Sequence, residues 1–322
     1  MSHDATMHAI MQDEFGGPEV LRWAKTRRPV PLPTEVLVRV HAAGINPIDL
    51  KTRAGGGMAP YLGDLPLTVG WDVSGVVEEI GYGVSTLAPG DEVFGMPWFP
   101  RGAGGYAEYV TAPSRQFARK PARLMHEQAA AVPLTALTAW QILHDTAQLR
   151  AGQRVLVHGA GGGVGRFAVQ FAKVLGAHVT ATGTARQYNW LRWLGADELI
   201  DYTTTRFEDV AHDIDVVVDV VGDGHDTTST RSLGVMRPGG VIVVVPSAAP
   251  DIAQEARVRG LRAARFQVEP DGRALSRIAA LIDSGKVQVG DVDVLPLAEA
   301  AQAHEIVENR RTHNKVVLRA AG

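Results

Sequence analysis

The stretch RVLVHGAGGGVGRFAVQFAKVLG, residues 154–176, constrains the fold of this chain more than any other. RVLVH (154–158) is an apolar run of strand length that ends directly in the glycine run GAGGGVG (159–165). Behind it Val164, Phe167, Ala168, Phe171, Ala172 and Leu175 recur at helical spacing and give one apolar face, and Gly176 stops the helix. A buried strand that turns through glycines into an amphipathic helix opens a βαβ unit. The next segments continue it: HVTAT (178–182) reads as a strand, and RQYNWLRWLG as a short helix with Gly195 as its C-cap. DVVVDVV (215–221) and VIVVV (241–245) read as strands buried on both faces. The class this predicts is α/β, with a doubly wound parallel sheet of Rossmann type.

Set against the dinucleotide fingerprint G-x-G-x-x-G, residues 160–165 read A-G-G-G-V-G, so Ala160 holds the first position and Gly162 and Gly165 the other two. The motif needs a tight turn, backbone access to a pyrophosphate and close packing of helix on strand. Free amides and the dipole at the helix start favour the phosphate charge. A site for NAD would place an acid on the ribose about twenty residues on. This chain has Thr182, Gly183, Thr184, Ala185 and Arg186 there. Hydroxyls and a guanidinium bind a 2′-phosphate that a carboxylate would repel, so NADPH is the expected cofactor. The alternative for Arg186 is a surface arginine at a helix start.

The first third is different. EVLVRV (35–40) and VSGVVEEI (73–80) alternate between Gly/Pro turns, the pattern of a barrel-like antiparallel domain. Within it GINPIDLK (44–51) brings Asn46, Asp49 and Lys51 onto one bend after a strand. The tail reads as a helix and then the strand KVVL, which could return to the first domain. A length of 322 residues suits two domains. The net charge of −3 builds no positive field for nucleic acid or an anionic membrane. No cysteine is present, which removes disulfides, thiolate catalysis and Cys-ligated metal sites. The N-terminus lacks a secretory signal pattern and no apolar run spans a bilayer, so a cytoplasmic protein is expected.

Several stretches, AAGINPIDLKTRAG (42–55), VGWDVSGVVEEIG (69–81), GDEVFG (90–95), GGYAEYV (104–110), PLTALTAW (133–140), HGAGGGVG (158–165) and HNKVVL (313–318), together resemble the medium-chain dehydrogenase/reductase superfamily. Within it the chain is similar to the zinc-independent, zeta-crystallin-like quinone oxidoreductases and enone reductases. The resemblance implies a GroES-like, partly open barrel as catalytic domain, residues 1–123 with 269–322, and a Rossmann domain, 124–268. It also implies a homodimer. Zinc-dependent relatives carry a cysteine where Asn46 stands and a His-Glu pair after the glycine equivalent to Gly70, where this chain has Trp71-Asp72. No metal site is therefore expected.

Carried over by position, Gly162, Gly163 and Val164 match the pyrophosphate loop, and Thr135 a threonine near the cofactor. Tyr202 matches a tyrosine beside the adenosine phosphate, and Lys315 a lysine that closes over the cofactor, with Arg310 nearby. Many relatives read N-x-x-D-x-Y, whereas this chain has Lys51 at the sixth position, which is closer to the enone or alkenal reductases.

The chemistry implied is hydride transfer from NADPH to a quinone or an α,β-unsaturated carbonyl. Asn46 is the candidate donor to the developing oxyanion, a contribution of roughly 2.7–4 kcal/mol when preorganised. Lys51 is a candidate for added charge or a proton relay, against a solvated role. Asp49 is read as structural, bonding loop amides or pairing with Lys51. Tyr61, Trp71, Trp98 and Phe266 are candidates to line a flat substrate, against plain packing. The competing reading is a non-catalytic NADPH-binding interaction protein on the same fold.

Overall fold

A computed structural model of the chain describes residues 5–224, 226–245, 252–309 and 313–320. It divides into two units. One comprises residues through Leu137, Glu269–Gly285 and those from Val289 onward; the other is Thr138–Val268 with Lys286–Gln288.

In the first unit β1 (Thr6–Met11) and β2 (Arg22–Arg27) form an antiparallel ribbon. The centre of the larger sheet is β3 (Glu35–Gly44), whose sequence EVLVRVHAAG is buried at nearly every position. After β3 come α1 (Pro47–Arg53), β4 (Asp72–Ile80), β5 (Glu92–Gly95), β6 (Tyr109–Pro113) and β7 (Phe117–Arg119). β4 runs antiparallel along β3, with Gly44 opposite Asp72. The other edge of β3 is shared, and β6 pairs with its first half, residues 35–39. A core of Val36, Val38, Val40, Val73, Val77, Tyr106 and Leu318 fills this sheet. Helices α2 (His126–Ala130) and α3 (Pro133–Trp140) follow. Pro133 is the first residue of α3, where a proline needs no amide.

The second unit alternates strand and helix. Its elements are β8 (Arg154–His158), α4 (Gly163–Val174), β9 (His178–Gly183), α5 (Tyr188–Trp193), β10 (Glu198–Asp201), β11 (Ile214–Asp219), α6 (Thr228–Ser232), β12 (Met236–Val244), α7 (Ile252–Val258) and β13 (Arg262–Arg265). All pairings are parallel, in the order β10-β9-β8-β11-β12-β13. That is the doubly wound order, with its switch point between β8 and β11. Leu156, Ile200, Phe207, Val217 and Ile242 lie in its core. Leu194 proves to be the C-cap of α5, and Gly195 is the residue beyond it, with φ of 107°.

The chain then returns to the first unit through α8 (Gly272–Asp283), β14 (Val292–Pro296), α9 (Ala300–Glu308) and β15 (Lys315–Arg319). β15 pairs parallel with β14 and antiparallel with the second half of β3, Val317 standing opposite Gly44. The returning strand expected from the sequence is thus present.

Candidate functional site

Three adjacent strands deliver the site in the first unit. Gly44 of β3 faces Asp72 of β4 on one side and Val317 of β15 on the other. Two residues further along that antiparallel register, Lys315 comes opposite Asn46. The Lys315 ammonium donates to Asn46 Oδ1 and stands 3.9 Å from Asp72 Oδ2. Asn46 Nδ2 in turn donates to Asp72 Oδ2 at 2.9 Å. The other oxygen, Asp72 Oδ1, accepts from the Leu134 amide at 2.7 Å. An ammonium donates only and a carboxylate accepts only, so the orientation of the Asn46 amide is fixed by its partners.

What seemed a bend in GINPIDLK is α1, with Asn46 at its N-cap. Asp49, in the first turn, reaches back and accepts from the Asn46 backbone N–H at 2.6 Å. The loop-amide role expected for Asp49 is therefore seen, while Lys51 lies on the exposed side of the helix. Asp49 also accepts from the Tyr106 hydroxyl at 3.1 Å. Both carboxylates are fully buried, and burial is the main reason their pKa values rise, Asp49 to about 7 and Asp72 to about 6. Two buried carboxylates thus share the field of one ammonium.

The other expected residues of this unit fall out variously. Trp71, expected among the substrate-lining residues, is instead packing: it is 1% exposed, its Nε1 donates to Arg101 O at 2.7 Å, and its ring meets Phe99 edge-on. Trp98 is partly buried and donates to Thr111 O at 2.7 Å, and Tyr61 is exposed. Thr135 is buried and its hydroxyl turns back to the carbonyls of Ala131 and Val132. Arg310 lies outside the described residues.

In the second unit the glycine loop has the features a dinucleotide needs. α4 begins at Gly163 with Gly162 as its N-cap and no side chain capping it, so its first amides remain for a ligand. A Cβ on Gly165 would come 2.2 Å from Gly159 O, and one on Gly161 would meet Gln187 Nε2 at 2.1 Å. At Gly165 the neighbour is backbone, so only glycine allows that approach, whereas at Gly161 it is the end of a flexible side chain. Gly162, Gly163 and Val164 stand at this helix start. The residues therefore fit a pyrophosphate.

At the end of β9, Thr184 is the N-cap of a turn through Arg186, held by Gln187 Oε1, which accepts the Thr184 N–H at 3.0 Å. Arg186 and Tyr202 are exposed. The partly buried Phe266 follows β13. Sequence reasoning missed Asp201, which arrives from the neighbouring strand β10, opposite Gly183. Its carboxylate accepts from the Ala185 amide at 3.1 Å and from the Thr203 amide and hydroxyl. The acid thus holds the turn that carries Arg186. His158, at the end of β8, is bonded to Ser232 Oγ at 2.9 Å and Thr182 Oγ1 at 3.3 Å. Burial lowers its pKa to about 4, so it stays neutral and structural.

Comparison with known proteins agrees with this architecture. The alcohol dehydrogenase GroES-like domain family matches residues 32–122, and the zinc-binding dehydrogenase family matches residues 194–318. The chain is 32% identical to NAD(P)H oxidoreductase RTN4IP1, mitochondrial, of Danio rerio, over 97% of this chain and 91% of that protein. It is 34% identical to 2-methylene-furan-3-one reductase of Solanum lycopersicum, over 99% of this chain and 80% of that one. The quinone oxidoreductase of Coxiella burnetii superposes with a TM-score of 0.90 at 34% identity, covering 98% of this chain and 100% of that one.

The chain belongs to the medium-chain dehydrogenase/reductase superfamily, in its quinone oxidoreductase and enone reductase branch, and is an oxidoreductase that works with a nicotinamide cofactor. A zinc ion, which the second family's description implies, does not fit the residues present. Asn46 and Asp72 face an ammonium. Among the described residues, no group of three or more His, Asp or Glu side chains is placed to hold a metal.

Proposed function

We propose that this protein reduces quinones or α,β-unsaturated carbonyl compounds with NADPH, without a metal ion. The observation that carries the reading is the Asn46–Asp72–Lys315 cluster, where a lysine ammonium supplies the positive charge that a Lewis acid would otherwise supply. When bound, the nicotinamide cofactor supplies a hydride. What the chain must add is stabilisation of the oxyanion that develops as the carbonyl or quinone accepts that hydride. Lys315 serves here, since its ammonium carries three donors. Asn46 anchors it through Oδ1, and Asp72 anchors Asn46 through Nδ2. The preference for NADPH is supported by the exposed Arg186 and by a β9 end, residues 182–186, that carries no acid of its own, the neighbouring Asp201 being engaged by the Ala185 and Thr203 amides. The mycobacterial protein Rv1454c, whose structure is complexed with NADPH, is 32% identical over 97% of this chain.

The test follows loss of the reduced-nicotinamide absorbance with a panel of naphthoquinones, enones and alkenals, with NADPH and NADH compared in parallel. Turnover of one acceptor class with NADPH is the expected result. NADPH binding without turnover of any acceptor would overturn the catalytic reading in favour of a binding protein.

A further inference from the structure

Four side chains behind Asp49 form a string with only one possible direction. Arg53, in α1, is 2% exposed. It donates through Nε to Gly16 O at 3.1 Å, through Nη2 to Glu308, and through Nη1 to His304 Nδ1 at 3.1 Å. A guanidinium has donors and no acceptor, so His304 Nδ1 must be the bare nitrogen and the proton sits on Nε2. That nitrogen stands 3.2 Å from the Tyr106 oxygen and donates to it. The Tyr106 hydroxyl, so supplied, has its own proton to give, and it donates to Asp49 Oδ2. Asp49 Oδ2 also holds the Asn46 backbone amide, while Asp49 Oδ1 is buried with no hydrogen-bond partner among the described residues.

A conducting proton wire is excluded by the same chemistry. Arg53 cannot give up and regain a proton, so nothing passes from Glu308 at the surface to Tyr106. The string has no outlet, and its remaining use is orientation and polarisation.

We propose that Tyr106 and His304 are positioning residues, which hold Asp49, and through it the Asn46 loop and Lys315, in the working arrangement. The proposal rests on the reading of Asn46, Asp72 and Lys315 as the reductase site. Arg53 and His304 are 251 residues apart in sequence, so the string adds polar contacts to the apolar packing by which α1 and α9 share one core.

Electrostatics point the same way. Burial is the largest influence on Asp49 and raises its pKa; the Asn46 backbone bond lowers it, Asp72 from β4 raises it, and Lys315 from β15 and the Tyr106 hydroxyl lower it. Burial and Arg53 push His304 down to about 3, so the ring stays neutral and its tautomer does not change in the working pH range. Removing the Tyr106 hydroxyl removes a bond that favours ionised Asp49.

The test uses three variants of the full chain and two readouts. Tyr106→Phe cuts the string beside Asp49, and His304→Leu cuts it one step further back. His304→Gln preserves its direction, because the amide oxygen accepts from Arg53 and the amide nitrogen donates to Tyr106. For Tyr106→Phe and His304→Leu, kcat per folded protein is expected to fall about tenfold, with KM and NADPH affinity within about twofold of the parent, as for a misplaced catalytic group. His304→Gln is expected to stay within about threefold of the parent, because the bonding pattern is kept.

Independently of turnover, the Asp49 carboxyl resonance is titrated in carbon-13-labelled protein. Its midpoint is expected to rise by about half a pH unit or more in Tyr106→Phe and to stay put in His304→Gln. An unmoved midpoint together with unmoved kcat, even where melting temperature drops, overturns the proposal and leaves the string a stability element. If the parent turns over no acceptor, the reductase reading fails by itself. The titration then still decides whether the string acts on Asp49.

Discussion

At Asn46 both ends of a side-chain amide are committed, one to an ammonium and one to a carboxylate. Truncation there frees Lys315 to collapse toward Asp72, so Asn46→Ala is expected to lower kcat about 100-fold, the scale of losing one oxyanion-directed donor. Lys51→Ala, on the exposed side of α1, is expected to change it by less than about twofold. Steady-state rates with the best acceptor distinguish the two. Arg186→Ala is expected to weaken NADPH binding about tenfold or more and leave NADH nearly unchanged, since a charge-assisted bond to phosphate contributes about 1.5–3 kcal/mol. Fluorescence titration with both nucleotides measures this.

Sequence reasoning reached Asn46 and Lys315 by their motifs. It did not reach Asp72 as their partner, nor Tyr106, His304 and Arg53. None of these carries a spacing that marks it in the sequence, Arg53 following Lys51 and Thr52 and His304 standing beside Glu305, and only the folded sheet and the α1–α9 contact show that they bond in series. Trp71 illustrates the reverse. An aromatic beside a motif suggests a ligand wall, yet whether it faces outward depends on the chain around it, and Phe99 and Arg101 turn it into core.

At the scale of elements, the strand–glycine–helix segment was legible because each of its demands is local: an apolar run, a turn and a helical face. The structure supplies the tertiary reason for its glycines. In Gly165→Ala the new methyl would lie 2.2 Å from a backbone oxygen and 2.6 Å from Ala160 Cα, and backbone cannot step aside as a flexible side chain would. The expected outcome is a destabilisation of about 2 kcal/mol or more with loss of NADPH binding, read by urea unfolding and by nucleotide titration. The helical nature of GINPIDLK was not legible. Pro47 at the first helical position and Asp49 reaching back to the Asn46 amide are start signals, but seven residues are too few for a periodic pattern to show.

For the whole molecule, two opposed sets of buried groups shape the response to pH. His158 and His304 have folded pKa values of about 4 and about 3, below the ordinary 6.5. Their contribution is fully present above pH 6.5 and is lost as pH falls toward those values. Asp49 and Asp72, at about 7 and about 6 against an ordinary 3.8, do the reverse. Their contribution is present below 3.8 and lost as pH rises through the folded values. Between about pH 4 and 6 the two sets nearly cancel, each histidine or carboxyl contributing about 1.4 kcal/mol per pH unit.

The stability deficit of His304→Gln relative to the parent is therefore expected to shrink as pH falls below 6.5. That of Asp49→Asn is expected to shrink as pH rises from 4 to 7. Urea midpoints across that range give both slopes.

The strand that carries Lys315 meets β3 only after the intervening second unit has been made, and the Lys315–Asn46 contact spans 269 residues. Residues 138–268, by contrast, form nearly all of the second unit as one continuous run. On the ribosome, the parallel sheet with its glycine loop can therefore form while the second half of β3 is paired with β4 on one edge and still open on the edge that β15 will take. Until β15 emerges, the ammonium that charges the site is absent and Asn46 has nothing to anchor. A nascent chain that has made the second unit can thus offer a nucleotide its glycine loop before the Asn46–Asp72–Lys315 cluster is assembled.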